Sequence, residues 1–313
     1  MGYVGTPLAV AAKRAGLRTA GLDVDETVVD GLMAGRSHVA GVSDAEVAAM
    51  VAAGFTAGTD PEVVAGADTV VICVPTGLTA DRTPDLGPLR AASTDVGRHL
   101  RPGALVVLES TGFPGTTEEV VLPILERHSG LVAGEDFYLA FAPERIDPGN
   151  TRFGLGNTPK VVGGHTPLCA KYCATFYSRF VDTVVVARGT REAELAKLLE
   201  NTYRYVNIAL VNEFARYCDA TGVDVWDVLY CAGTKPFGFA AFTPGPGVGG
   251  HCIPVDPLYL TSRAEADGFT FSLVEAAKKV NDDAPAHVLR RAGELLGDVR
   301  GASVLFLGVT YKA

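Results

Sequence analysis

Two hydrophobic patterns alternate along the chain: short continuous apolar runs, and longer stretches in which apolar residues recur at helical spacing. The runs predict strands over 17–23, 69–74, 104–109, 137–140, 160–163 and 183–186. The longer stretches predict helices over 7–15, 26–34, 44–53, 86–100, 115–127 and 167–178. Strands built from consecutive Val, Ile and Leu are buried on both faces, as in a parallel sheet covered by helices. Regular alternation of this kind predicts an α/β, Rossmann-like doubly wound domain. The pattern changes after 190. A long helix is predicted over 191–221, free of Gly and Pro, then a short one over 225–231. A loop rich in Gly and Pro fills 235–257, helical spacing resumes to 296, and one more apolar run at 302–308 reads as a buried strand. The expected organisation is a dinucleotide-binding domain over 1–188, a helical domain over 189–298, and over 299–313 the first strand of a further α/β domain.

Composition narrows the function classes. The chain has 313 residues, 48% of them hydrophobic, enough for a sizeable core. A net charge of −9 argues against a general nucleic-acid binder, which needs a basic face. No apolar run approaches the ~20 residues of a membrane span, and no secretory signal opens the sequence, so a cytoplasmic protein with reduced thiols is expected. The six cysteines form no CxxC pair and no metal site is expected; five of them read as small core residues. The 36 glycines are not periodic, which places them where backbone turns sharply or approaches a ligand.

Candidate chemistry lies at the ends of the predicted strands and in the Gly/Pro loop. Gly2 and Gly5, opening the first helix, match the second and third glycines of a dinucleotide fingerprint. Asp23 follows at the end of the next strand, at the spacing of a carboxylate that accepts ribose hydroxyls and selects NAD. An ordinary helix start with a surface aspartate is the other reading. Thr76 and Thr111 follow buried strands, where open parallel sheets collect ligands, although such threonines also serve as turn residues. Glu144 follows another strand, as a candidate base or a helix-start acid. Cys252 ends a run of glycines and prolines and precedes Asp256 by four residues; it reads as a nucleophile or as a structural cysteine. Lys197 and Asn201 share a helix face, aimed at an oxyanion or simply at solvent.

In combination these segments resemble the UDP-glucose/GDP-mannose dehydrogenase family. The matching stretches are GYVG at 2–5, CVPT at 73–76, EST with PGTTEE at 109–119, APERIDPGN at 142–150, AKLLENTYRYVNIALVNE at 196–213, KPFGF at 235–239 and PGPGVGGHCIPVDP at 244–257. Their wording is most similar to the branch that oxidises UDP-N-acetylhexosamines, UDP-N-acetylglucosamine above all; UDP-N-acetylmannosamine and UDP-glucose are the alternatives. The resemblance implies a four-electron oxidation of a sugar C6 alcohol with two NAD, through a thiohemiacetal and a thioester on Cys252. It implies NAD contacts from Gly2, Val4, Gly5, Asp23, Pro75, Thr76 and Thr111. Lys197 and Asn201 would stabilise oxyanions, Asp256 and Thr111 would place the water, and Glu144 is the expected base. Pro148 stands where UDP-glucose enzymes carry a second glutamate. Substrate contacts are expected from Glu144, Arg145, Lys197, Asn201, Arg204, Lys235, Phe237 and Gly249, with Arg204 and Lys235 offering local positive charge to the diphosphate. A homodimer is implied, as are a preceding first strand and a following domain that opens over 304–312. An inactive fragment that only binds NAD or dimerises is the reading from another class.

Overall fold

The computed structural model describes residues 1–147, 150, 152–250, 252–297 and 299–307, and these form two compact units, Met1–Lys197 and Leu198–Ala313. The first unit contains, in order, α1 (Gly5–Arg14), β1 (Ala20–Leu22), α2 (Glu26–Met33), α3 (Asp44–Ala52), β2 (Thr56–Gly58), a 3₁₀ turn (Pro61–Gly66), β3 (Thr69–Ile72), β4 (Gly77–Leu78), β5 (Pro84–Asp85), α4 (Gly87–His99) and β6 (Leu105–Leu108). A π turn (Thr117–Val121) runs into α5 (Leu122–Ser129), followed by β7 (Tyr138–Phe141), β8 (Lys160–Gly164), α6 (Pro167–Tyr177) and β9 (Val184–Val186).

Local chemistry starts these helices where the sequence marks them. Asp25 accepts from the Thr27 N–H at the start of α2, and Ser43 with Glu46 closes a capping box on α3. Thr166 accepts from the Cys169 N–H at the start of α6. The main sheet has the order β3-β6-β7-β8-β9, and β1 pairs with β2 in a separate two-stranded sheet. β3, β6 and β7 run parallel in register, with Ile72, Leu108 and Phe141 in one row. Their carboxyl ends therefore open on a single edge. All four residues of β6 are buried, as a central strand covered on both faces requires. One apolar core lies around Leu89, Val106, Leu125 and Phe137; a second, around Val107, Ala140 and Tyr177, packs the opposite sheet face.

The doubly wound pattern holds with one departure: β8 is antiparallel to β7 and parallel to β9. A parallel return needs a crossover, and the described residues between β7 and β8 contain no helix to make one.

The remaining helices are α7 (Thr190–Thr221), α8 (Val225–Gly233), α9 (Asp256–Ala266) and α10 (Ser272–Leu296). The core of the second unit gathers Tyr205 and Ala209 of α7, Val274 and Ala277 of α10, and Ile253. Two expectations are corrected here. Residues 302–307 are exposed and show no strand among the described residues; 308–313 lie outside the described residues, as does Pro148. Cys231 is exposed on α8, a helix that buries none of its residues, so it is not a core cysteine; Cys169, Cys173 and Cys218 are buried as expected.

Candidate functional site

In the first unit the candidate residues collect where the parallel strands end. CVPT follows β3, EST follows β6 and APER follows β7, so Thr76, Thr111 and Glu144 share the carboxyl edge. Ser110 stitches two of these loops, donating its hydroxyl to the Val74 carbonyl at 2.7 Å. Thr76 is buried, Thr111 half-buried and Pro75 exposed. Gly2 and Val4 lead into α1, with Val4 at its N-cap and the Gly2 carbonyl accepting from the Thr6 N–H.

This edge fits a dinucleotide on three observations. A Cβ at Gly2 would meet nothing within 4 Å, so the backbone there is open to a bulky anion. A Cβ at Gly5 would stand 3.0 Å from the Cys73 sulfur, so glycine is what lets α1 pack this close to the end of β3. Asp23 sits half-buried directly after β1, where the sequence predicts a ribose contact. Its carboxylate accepts from the Asp25 N–H at 3.0 Å.

Beneath that edge lies a buried ionic group. Glu109 Oε1 stands 2.8 Å from Lys160 Nζ and also accepts from the Tyr177 hydroxyl. Lys160 Nζ is 3.6 Å from Glu144 Oε2 and 4.9 Å from the centre of the Tyr177 ring. Glu144 Oε1 accepts from the N–H groups of Arg145 and Ile146 at 2.7 and 2.6 Å, and Arg145 donates to the Pro159 carbonyl at 2.7 Å. Burial pushes the Glu109 carboxyl up despite its cationic neighbour. Burial would lower Lys160, but the two carboxylates outweigh it and hold the ammonium charged above its ordinary range.

A second buried carboxylate, Glu194 on α7, accepts from the N–H groups of Gly115 and Thr117 and, at 2.7 Å, from the Thr117 hydroxyl. It thereby supplies acceptors to the unsatisfied amides that open the PGTTEE helix. Burial pushes its carboxyl up, with those hydrogen bonds pulling the other way.

In the second unit, Asn201 donates its side-chain amide to Asp256 Oδ2. Lys197 precedes Asn201 by one helical turn on α7, and Arg204 follows by three residues. The Cys252 carbonyl accepts from the N–H groups of Val255 and Asp256, at 3.1 and 2.9 Å, which folds the cysteine directly onto the start of α9. Cys252 is exposed while Asp256 is buried, and Ile253 anchors the turn in the core. Gly249 is exposed nearby in sequence, and Lys235 lies 5.1 Å from the ring centre of Phe237 on an exposed loop.

Sequence reasoning paired Cys252 with Asp256 and Lys197 with Asn201; the structure adds the bond between Asn201 and Asp256. It passed over Ser110, Lys160 and Tyr177, and gave no role to Glu109 or Glu194. A lysine inside an otherwise apolar strand was the available signal, since a buried charge requires a partner.

Comparison with known proteins settles the family. Residues 1–181 match the NAD binding domain of the UDP-glucose/GDP-mannose dehydrogenase family, and residues 191–283 match its central domain. The chain belongs to that family. It is 37% identical to a UDP-N-acetyl-D-glucosamine 6-dehydrogenase of Pseudomonas aeruginosa, in an alignment covering 100% of this chain and 74% of the relative. It is 36% identical to a UDP-N-acetyl-D-mannosamine dehydrogenase of Pyrococcus horikoshii, covering 100% and 75%. The solved structure of a UDP-D-ManNAc dehydrogenase from Pyrococcus horikoshii superposes with a TM-score of 0.88 at 36% identity, over 95% of this chain and 71% of that one. This chain is thus a nucleotide-sugar dehydrogenase that uses NAD. No helix among the described residues is long and apolar enough to cross a membrane.

Proposed function

We propose that the protein oxidises the C6 alcohol of a UDP-N-acetylhexosamine, UDP-N-acetylglucosamine foremost, to the carboxylate, with Cys252 as the covalent nucleophile. The observation that carries this reading is the joined geometry of the cysteine turn. The Cys252 carbonyl takes the amide of Asp256, and the Asp256 carboxylate takes the amide of Asn201. A nucleophile, an acid and an oxyanion donor are thereby tied to one structural unit.

NAD accepts the hydride in each of the two oxidation steps. In the first, the C6–H bond breaks as the hydroxyl loses its proton, and Lys197 and Asn201 stabilise the charge that develops on the oxygen. The Cys252 thiolate then adds to the aldehyde carbon, forming a C–S bond and a thiohemiacetal. Loss of its C–H hydride leaves a thioester. Water adds to that carbonyl, the C–S bond breaks, the thiolate returns to Cys252 and the carboxylate departs. The sum is an alcohol, one water and two NAD⁺ giving a carboxylate, two NADH and three protons. The family resemblance assigns the placing and deprotonation of the water to Asp256, Thr111 and Glu144. Asp23, Thr76, Pro75, Val4, Gly5 and Gly2 hold the dinucleotide, and Arg145, Arg204, Lys235, Phe237 and Gly249 hold the UDP-sugar. The names of the relatives support the N-acetylhexosamine class and leave UDP-N-acetylmannosamine as the second candidate.

The test is stoichiometric. NADH released per sugar is counted for UDP-N-acetylglucosamine, UDP-N-acetylmannosamine, UDP-glucose and GDP-mannose. Two per molecule are expected for UDP-N-acetylglucosamine, and a roughly 10³-fold or greater loss of turnover in Cys252→Ser. One NADH with accumulating aldehyde overturns the four-electron reaction, and full turnover in C252S removes the cysteine from it.

A further inference from the structure

We propose that Lys160 is a positioning residue, one half of a buried ionic clamp with Glu109 that orients the Glu144 carboxylate at the end of the sheet. This rests on the reading of Glu144 as a reaction group only for its kinetic consequence; the clamp itself is a matter of geometry.

The antiparallel strand makes the clamp. β8 pairs with β7 so that Gly164 stands opposite Ala140 and Gly163 opposite Phe141. Continuing that register three residues beyond Phe141 sets Lys160 opposite Glu144, and their charged ends lie 3.6 Å apart. The parallel register of β6 with β7 puts Leu108 beside Phe141, so Glu109 emerges one step beyond the same row, 2.8 Å from Lys160. A parallel β8 would have carried its first residue to the other end of the sheet. The departure from a wholly parallel sheet thus delivers the ammonium to the edge where the ligand loops begin.

Burial gives the arrangement its consequence. Glu109 is 3% exposed and Lys160 4%, so both have left water almost completely, and such a charge persists only when it is paired. Glu109 Oε1 is held by Lys160 and Tyr177, while Glu109 Oε2 has no hydrogen-bond partner among the described residues. Three neutral groups and one guanidinium stand near the pair. Burial pushes the Cys73 thiol up to about 12 and pushes Cys173 and Tyr177 upward as well, so all three stay protonated. The Arg145 guanidinium is bonded to the Pro159 carbonyl. Two carboxylates thus lie against the one buried ammonium. Glu144 has one oxygen fixed by backbone N–H groups and the other turned to Lys160, which leaves a single orientation for its carboxylate.

Removing either partner shifts the shared charge in opposite directions. Lys160→Met leaves two carboxylates without a cation, and the pair takes up a proton at higher pH. Glu109→Gln gives Lys160 to Glu144 alone, and proton uptake moves to lower pH. A lysine that merely braced the sheet would lower activity equally at every pH and displace neither curve.

The experiment is a potentiometric titration of the folded protein between about pH 4 and 9, for wild type, K160M and E109Q, each read as a difference from its Glu144→Gln counterpart. Uptake is expected to rise by about one pH unit or more in K160M and to fall in E109Q, with the acid limb of kcat for the UDP-sugar following in the same directions. If K160M does not fold, the downward shift in E109Q still decides the matter. Unmoved titration curves overturn the clamp. Shifted titrations with an unmoved acid limb leave the clamp intact and remove Glu144 from the rate-determining chemistry.

Discussion

Glu194 shows how a single residue on a long helix acts on a distant turn. Its carboxylate is 1% exposed and accepts three bonds from Gly115 and Thr117, which no neutral side chain of the same shape can reproduce. Glu194→Gln places an amide donor against an N–H donor, and a loss of about 1–3 kcal/mol in chemical denaturation is expected. The pH dependence carries a sign. Burial raises the folded carboxyl above its unfolded value, so the native state holds its proton more tightly. The contribution is full below the unfolded value, roughly 4.3, and declines as pH rises through the folded one. Wild type should therefore lose stability relative to E194Q as pH is raised above that point; a difference that grows instead would mean the hydrogen bonds outweigh burial. None of this was legible in the sequence. Glu194 and Thr117 lie 77 residues apart, and nothing local marks a glutamate on a charged helix as the partner of a remote amide.

At the scale of elements, legibility followed the range of the interactions. The long helix, the strand ends carrying Thr76 and Thr111, and the cysteine loop were readable because apolar spacing, caps and Gly/Pro runs are local signals. β2, β4 and β5 were missed because they are two or three residues long and lie in no continuous apolar run, unlike the equally short β1 and β9. The direction of β8 was missed because pairing is decided by the returning chain.

The cysteine loop itself rests on a relay of two buried asparagines. The Gly245 N–H donates to Asn212 of α7 at 2.9 Å, Asn212 donates to Asn281 of α10 at 3.2 Å, and Asn281 donates to the Tyr205 carbonyl at 3.3 Å. Pro285, one turn beyond Asn281, supplies no N–H to the Asn281 carbonyl. Gly247, at φ +117°, backs onto that carbonyl, where a Cβ would come within 3.0 Å. Asn281→Ala is expected to cost about 1–3 kcal/mol by leaving Asn212 partly unsatisfied. A double-mutant cycle with Asn212→Ala should return a coupling above about 0.5 kcal/mol. Strictly additive losses would show that the two residues hold the loop independently.

For the whole molecule, the decisive surface is the face of α7. Leu199, Tyr203, Leu210, Phe214 and Tyr217 are all exposed, at spacings of four, seven, four and three residues, which align them in one stripe. Leu199 and Tyr217 are 68% and 67% exposed. An exposed apolar stripe of this kind suits an interface. A net charge of −9 opposes indiscriminate association, so contact must be confined to a patch where apolar burial outweighs repulsion. A second copy of the same helix, laid antiparallel about a two-fold axis, satisfies that condition, because an isologous interface matches a patch to itself. The protein is therefore expected to sediment as a dimer at micromolar concentration. Leu199→Glu with Phe214→Glu puts four carboxylates into the seam of two copies and should yield monomers, with the fold intact by circular dichroism. NAD affinity should survive the change, since the residues expected to hold the dinucleotide lie between Gly2 and Thr111, far from the stripe in sequence. A wild-type protein that stays monomeric across the concentration range, or a double variant that still dimerises, would assign the stripe to another role.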